Sequence, residues 1–387
     1  MRGKPVAVSA YAGKNGCVLA ASVEAKRFGV KTGMRVQDAK MLCQNIIVLP
    51  SDPAKYRYIH VMLRSILQDY TNDMFPKSID EFVLNFKGST YAQEDLFEVA
   101  KEIKRKIKRE IGSHITVSVG ISTNRYLAKT ASNLQKPDGL SEINRKNFLQ
   151  VYSKLQLMDL CGIAHNNLLR LNRWGIFNVL DLFNTKTHML HSAFNSVVGY
   201  YWYLRLRGWE IEDYEPVRKS FSNSYSPPKV FSTLWEITPV LTKLVEKTSL
   251  RLRNGGYKAR GIYLAVSYRN RSFWHMSKKT KEFLFNSRDI YKEITALFLK
   301  SPMNPIHTIS VGVFSLVQSG NTQLYLFSDA LKKESLTKAV DFLNNKWGNF
   351  VVSPASMLSK QKYVHDAVGF GRIRELDSGS LDALQTW

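Results

Sequence analysis

Cysteine is scarce in this chain, with only Cys17, Cys43 and Cys161 among 387 residues. An odd, widely spaced trio argues against a disulfide framework and a structural zinc site, and suits a reducing, cytoplasmic compartment. Acidic residues are also in short supply, 32 against 55 Lys and Arg, for a formal net charge of +23. That balance suits a polyanion, either nucleic acid or an anionic membrane surface. No run of about 20 apolar residues occurs, and the first residues lack a charged-then-apolar leader, so the membrane is the weaker reading and no membrane partner is expected. Histidines number eight and are scattered. His165 has no His or Cys at metal spacing and reads as a turn residue or a phosphate neighbour, and no nucleophile with a His and Asp set appears.

What is present concentrates first in Phe75-Pro76-Lys77-Ser78-Ile79-Asp80-Glu81-Phe82-Val83-Leu84-Asn85-Phe86. The alternation of Phe82, Leu84 and Phe86 predicts a half-buried strand with two adjacent carboxylates at its mouth. Burying either without compensation is costly, and hard cations such as Mg2+ take carboxylate oxygens together with substrate phosphates. A strand-end pair facing water is the plain alternative, and for an isolated Asp-Glu it is the better one.

At about 100 to 200 residues per domain, the length implies two to four compact units. An apolar strand at Pro5 to Val8 turns through Gly13 to Gly16 and continues at Val18 to Ala21. A helix is expected over Tyr56 to Tyr70 and another over Gln93 to Ile111, then a strand over Ile115 to Ile121. The next helix is capped by Ser122 or Thr123 and ends before Pro137. On it Arg125 and Lys129 stand four apart on one face, an ordinary solvated pair unless the first helical turn holds phosphate.

Ser-Ile-Asp-Glu, then Val117-Ser118-Val119-Gly120-Ile121-Ser122-Thr123-Asn124-Arg125-Tyr126-Leu127-Ala128-Lys129 and Lys136-Pro137-Asp138-Gly139-Leu140, resemble in order and spacing the palm of the Y-family translesion DNA polymerases, in their bacterial UmuC/DinB-like branch. The resemblance implies that Asp80 and Glu81 bind two catalytic Mg2+ ions and that Arg125 and Lys129 face the incoming deoxynucleoside triphosphate. Ala21 to Met34 resembles the family's fingers block. Val23 stands where a Tyr often touches the triphosphate, while Lys26 keeps the basic position three residues on. The family takes a further metal-ligand Asp and an aromatic ribonucleotide screen from a motif upstream of Gly3-Lys4-Pro5-Val6-Ala7-Val8. No residue of this sequence matches it, so the expectation is either a truncated N-terminus, the preferred reading, or a non-catalytic relative.

Leu155 to Phe183 resembles a helix-hairpin-helix thumb, in which Gly162 lets backbone amides approach a DNA phosphate and Ala164 replaces the usual second glycine. From Val217 the order strand, helix, two strands, helix, strand resembles the family's little finger, a ferredoxin-like βαββαβ unit. Its best phosphate contacts are Lys258, Arg260, Arg269, Arg271, Lys278, Lys279 and Lys281. Gln323-Leu324-Tyr325-Leu326-Phe327 resembles the peptide that binds the β sliding clamp, with Gln323, Leu324, Leu326 and Phe327 as anchors.

The expected fold is thus α+β and multidomain: fingers with a palm remnant over 1–53, palm over 54–141, thumb over 142–215, little finger over 216–320, and clamp peptide with C-terminal extension over 321–387. The expected activity is error-prone translesion synthesis on primer-template DNA in the SOS response to DNA damage, impaired where the first metal ligand is lacking. The alternative is a non-catalytic adaptor that binds DNA and clamp, and a general nucleic-acid-binding protein comes third.

Overall fold

The computed structural model describes all residues except 2, 12, 212–217, 228, 322–327, 349, 361–363 and 365–387, with 321, 328–330, 359 and 360 described by backbone alone. It falls into two compact units, one made of residues 1–54 with 217–387 and the other of 55–216.

The N-terminal segment carries β1 (Val6–Ser9), β2 (Val18–Ala21), α1 (Val23–Arg27), α2 (Val36–Leu42) and β3 (Ile47–Pro50). The sheet order is β2-β1-β3, with β1 antiparallel to β2 and parallel to β3. Ala7, Val18, Ala25, Val30, Val36 and Ala39 form its core. Small side chains at Ala25 and Ala39 let both short helices lie close to the strands. Ser22 starts α1 by accepting the Ala25 N–H at 3.2 Å.

The second unit opens with α3 (Pro53–Gln68), the hairpin β4 (Met74–Ser78) and β5 (Glu81–Leu84), and α4 (Leu96–Glu110). Leu63, Ile66 and Leu67 of α3 meet Val99, Ile103 and Ile107 of α4 in one core, joined by Phe82, Leu84 and Val117. Then come β6 (Val119–Ser122), α5 (Arg125–Leu134) and β7 (Leu140–Ile143), with β6 and β7 parallel. The strand before α5 is shorter than expected, and the cap is Asn124, whose Oδ1 accepts the Leu127 N–H at 2.7 Å, in place of Ser122 or Thr123. Ser122 is committed elsewhere, its hydroxyl donating to the Ile143 carbonyl at 2.6 Å.

Five helices complete this unit: α6 (Phe148–Lys154), α7 (His165–Arg173), α8 (Val179–Asn184), α9 (Thr187–Phe194) and α10 (Val198–Leu206). Their core includes Leu127 and Ala131 of α5 with Tyr152, Leu171, Leu182, Leu190 and Trp202. Asn124 fixes the junction, its Nδ2 donating to the Arg205 and Trp209 carbonyls at 2.9 and 3.0 Å. The helix expected to carry phosphate-binding cations is therefore built into the helical half of the unit.

Residues 217 onward give β8 (Ser220–Tyr225), α11 (Leu234–Asn254), β9 (Tyr257–Tyr268), β10 (Phe273–Leu284), α12 (Ser287–Phe298), β11 (Ile306–Gln318) and α13 (Ser328–Trp347). The element order is the expected βαββαβ. The strand order β10-β9-β11-β8 sets β8 at an edge, so the ferredoxin-like label holds for the order of elements and not for that of strands. Alternation decides the faces: Ile262, Leu264 and Val266 of β9 and Ile309, Val311 and Val313 of β11 bury completely against Leu244 of α11 and Ile290 and Ile294 of α12. Each such side chain contributes about 1.5–3 kcal/mol by leaving water. Both helices lie on this one face.

Candidate active site and nucleic-acid surface

Ser78 pairs with Glu81 across the hairpin, so Ile79 and Asp80 form its tip. Ile79 turns inward and is buried, and its carbonyl lies 2.8 Å from Nδ1 of the buried His60 on α3, which therefore donates. His60 also stacks on Phe82 with ring centroids 4.9 Å apart. With the tip pinned from below, Asp80 and Glu81 are left on the accessible side. Ser78 Oγ donates to Asp80 Oδ1 at 2.5 Å and orients that carboxylate.

Lys129 on the second turn of α5 reaches the hairpin, with Nζ 2.7 Å from Glu81 Oε2. Its placement depends on Gly120. A Cβ there would meet the Ala128 carbonyl oxygen at 2.0 Å and the Ser132 nitrogen at 2.3 Å, so β6 and α5 could not pack as closely with any side chain at this position. The loop after α5 is tied to α4, because Lys104 Nζ and Lys108 Nζ contact the Asp138 carboxylate at 3.0 and 2.7 Å. Hydrogen bonds from Lys108 and Lys104 hold the Asp138 carboxyl below the usual carboxylate range.

Arg125 does not face the same way as Lys129. Its Nε lies 3.1 Å from Glu210, its side chain is only 11% exposed, and its guanidinium sits 5.1 Å from the Phe75 ring centroid. The expectation of two parallel cations is thus corrected: Arg125 clamps the start of α5 to the end of the helical half and to β4. Glu210 and Ser78 are the side chains that sequence reasoning missed. Ser78 had a local signal, standing two residues before Asp80, whereas Glu210 lies 85 residues from Arg125 and had none.

Asp80 and Glu81 are hard oxygen donors on a fixed hairpin, a set that fits Mg2+, which takes one or two carboxylates and completes its shell with phosphate oxygens and water. Among the described residues no group of three or more His, Cys, Asp and Glu side chains is positioned to hold a metal. Lys26 is exposed on α1, in the other unit. Gly162 has φ +100, in the left-handed region that suits glycine, and Ala164 is the N-cap of α7. Preceding this turn is a single 3-10 turn, Leu157–Asp159, in place of a regular first helix.

The four-stranded sheet leaves one face free of its helices, carrying Ser267, His275, Ser277, Lys279, Ser310 and Gly312 by the strand alternation. Gly312 leaves room there for the Tyr263 ring, which would lie 2.2 Å from a Cβ at this position. Arg260, Arg269, Arg271, Lys279 and Lys281 are exposed, and the Arg260 guanidinium stacks 4.4 Å from the Phe283 centroid. Two of the expected phosphate cations stand against acidic side chains of the same unit. Lys258 is buried, with Glu334 3.9 Å away and the Phe285 ring beneath it. Lys278 pairs with Glu293 of α12 at 2.7 Å, on the helix-covered side. A β-bulge between Lys279 and Leu284 shifts the alternation in this region, which a reading by period two could not see. Gln323, Leu324, Leu326 and Phe327 lie outside the described residues. No helix among the described residues is long and apolar enough to cross a membrane.

Comparison with known proteins agrees with this architecture. Residues 1–133 match the impB/mucB/samB family model and residues 218–326 match the model of that family's C-terminal domain. DNA polymerase IV of Pelotomaculum thermopropionicum is 30% identical over 93% of this chain and 90% of its own length, and that of Moorella thermoacetica 31% over 93% and 91%. DNA polymerase IV 1 of Bacillus subtilis is 28% identical over 96% and 91%. Among solved structures, a Y-family DNA polymerase chimera superposes with a TM-score of 0.71 at 23% identity, over 82% of this chain and 93% of that one. DinB from Sulfolobus solfataricus gives 0.52 at 23% identity, over 81% and 92%. With both family models matched in chain order and the hairpin, α5 and the basic sheet in place, the chain belongs to the impB/mucB/samB family and is a DinB-like Y-family DNA polymerase.

Proposed function

We propose that the tip of the β4–β5 hairpin together with α5 is the catalytic centre of template-directed deoxynucleotide transfer to a primer 3'-hydroxyl, in translesion synthesis. The observation that carries this reading is the 2.7 Å contact between Lys129 and Glu81, which sets a cation and the hairpin carboxylates in one accessible place. Asp80 and Glu81 would hold Mg2+, two ions in all. Bound there, Mg2+ supplies charge neutralisation on the triphosphate and acidifies the attacking hydroxyl. Lys129 exchanges Glu81 for a triphosphate oxygen when nucleotide enters. Arg125 keeps α5 in register with the hairpin.

In this reading residues 54–141 act as palm, 1–53 as fingers with a palm remnant, 142–215 as thumb and 216–320 as little finger. The Gly162 turn and the open sheet face hold the DNA backbones without reading sequence. Gln323 to Phe327 dock on the β sliding clamp, and replacing Leu326 and Phe327 with Ala is expected to abolish clamp capture in a pull-down while DNA affinity stays within about twofold.

Single-nucleotide extension with Mg2+, alongside DNA binding, tests the centre. Asp80→Ala is expected to lower extension by at least about a hundredfold with primer-template affinity intact. Undiminished extension by Asp80→Ala would move the active site elsewhere. A non-catalytic DNA- and clamp-binding adaptor would bind primer-template and clamp yet show no extension that Asp80→Ala can remove.

A further inference from the structure

The hairpin that carries Asp80 and Glu81 turns on a loop with little conformational preference of its own for the turn it makes. Ser78 pairs with Glu81, so Ile79 and Asp80 alone connect β4 to β5. Two-residue connections of this kind ordinarily place the first central residue at positive φ, because such turns match the twist of the flanking strands. Neither Ile79 nor Asp80 has a positive φ. Ile79 is β-branched, a residue type that resists that conformation. The strand register also shifts between Pro76 and Ser78, so the regular ladder stops short of the tip. A tip of this shape depends on contacts from outside the hairpin.

His60 of α3 supplies one. It is 1% exposed, and its Nδ1 lies 2.8 Å from the Ile79 carbonyl oxygen. A carbonyl only accepts, so the ring proton is on Nδ1. The other nitrogen, Nε2, is buried with no hydrogen-bond partner among the described residues. Holding a polar atom out of water in this way is unfavourable. A ring serving only to stack on Phe82, 4.9 Å away between centroids, gains nothing from its nitrogens. The bond to Ile79 is what the imidazole contributes and an apolar ring would not. That carbonyl belongs to the peptide plane whose far end is the Asp80 Cα, so a hydrogen bond to its oxygen fixes the direction in which Asp80 leaves the backbone. Ser78 then has only the carboxylate rotation left to settle, through Oγ and Asp80 Oδ1.

We propose, resting on the reading of the hairpin tip as the catalytic centre, that His60 is a positioning residue for DNA synthesis: with its proton on Nδ1 it sets the Ile79–Asp80 peptide so that the Asp80 carboxylate stands where it can bind Mg2+.

Two variants of the full chain separate the bond from the ring. His60→Asn keeps an N–H donor close to the place of Nδ1 and loses the stack on Phe82, whereas His60→Phe keeps the stack and loses the donor. Melting temperature, single-nucleotide extension, and Mn2+ binding read by electron paramagnetic resonance without nucleotide are measured for both, for the unmodified chain and for Asp80→Ala. His60→Asn is expected to melt below His60→Phe and yet to rescue extension to within about threefold of the unmodified chain. His60→Phe is expected to lower kcat at least about tenfold with primer-template affinity intact, and to weaken Mn2+ binding at least about threefold. Stability and synthesis then rank the two variants in opposite order, which packing alone would not produce. Extension and Mn2+ binding by His60→Phe equal to those of the unmodified chain overturn the proposal, and so does a loss in both variants that follows melting temperature. One measurement needs no variant: nitrogen NMR of the chain carrying isotope-labelled histidine is expected to show a ring with its proton on Nδ1 and a bare Nε2, and the absence of any such ring among the eight histidines also overturns it. Undiminished extension by Asp80→Ala would bring down the catalytic-centre reading and the role of His60 with it. Extension lost in Asp80→Ala but unaltered in His60→Phe would bring down the role of His60 alone.

Discussion

The most consequential pair in the molecule is Glu81 with Lys129, because in the proposed catalytic centre the 2.7 Å contact between them is one that nucleotide would have to break. Both side chains are about one-third exposed, so the pair contributes little to stability, on the order of 0 to 1 kcal/mol. Lys129→Ala is therefore expected to leave the melting temperature within a few degrees while raising the KM for deoxynucleotide about tenfold or more, as measured by steady-state single-nucleotide insertion. An unchanged KM would remove Lys129 from the triphosphate site. Asp138 plays the opposite part, structural and remote from the chemistry. Its folded-state pKa is depressed by Lys108 and Lys104, so its stabilisation is present above the unfolded carboxylate value of about 3.9 and is lost as pH falls through the lower folded value. Asp138→Asn should cost up to about 1 kcal/mol near neutral pH, and denaturant titrations should show the two proteins converging in acid. A difference that persisted unchanged at low pH would mean the carboxylate's charge is not what ties the loop to α4.

At the scale of elements, β6 and α5 form the critical joint. Gly120 admits the helix backbone to van der Waals range, and any Cβ there must push α5 outward. Gly120→Val is expected to destabilise by about 1 to 3 kcal/mol and to impair extension beyond what the lost stability explains, since Lys129 moves with its helix. Circular dichroism melts read the first effect and extension below the melting range reads the second. Full activity at the lower melting temperature would show that the close approach serves packing alone. Most elements were legible in the sequence: β8, α11, β9, β10, α12 and β11 follow the order strand, helix, two strands, helix, strand read from Val217, and the Asp80-Glu81 strand falls where its alternation puts it. The cap of α5 was not, because Ser122, Thr123 and Asn124 are all good caps and the choice among them depends on Asn124 also satisfying carbonyls of residues 205 and 209.

For the whole molecule the governing quantity is charge, +23 in all. If the five exposed cations at the C-terminal sheet, Arg260, Arg269, Arg271, Lys279 and Lys281, each meet a DNA phosphate as proposed, the expected log-log slope of primer-template affinity against salt is about −4. Arg269→Gln/Arg271→Gln should flatten that slope by about 2. Lys278→Gln, by contrast, should leave it nearly unchanged, because Lys278 already neutralises Glu293 on the helix side. If Lys278→Gln flattened the slope as much as an arginine change does, the face assignment would be wrong. Little discrimination among duplex sequences is expected, since phosphate contacts carry no base information.

The sequence by itself determined the order of elements, the family, the carboxylate pair Asp80-Glu81 and the excess of positive charge, because these depend on local composition, period and spacing. Tertiary structure alone decided which cations are available. Arg125, Lys258 and Lys278 read like their neighbours in the sequence, yet each is matched to an acid 15 to 85 residues away: Glu210, Glu334 and Glu293. It also decided which side of α13 meets its domain, because only the partners Arg253 and Lys258, far off in the chain, give the side on which Asp341 and Glu334 hold the helix. The physical reason is common to both cases. Periodicity fixes which residues share a face, and the direction of that face is fixed by contacts between segments far apart in the chain.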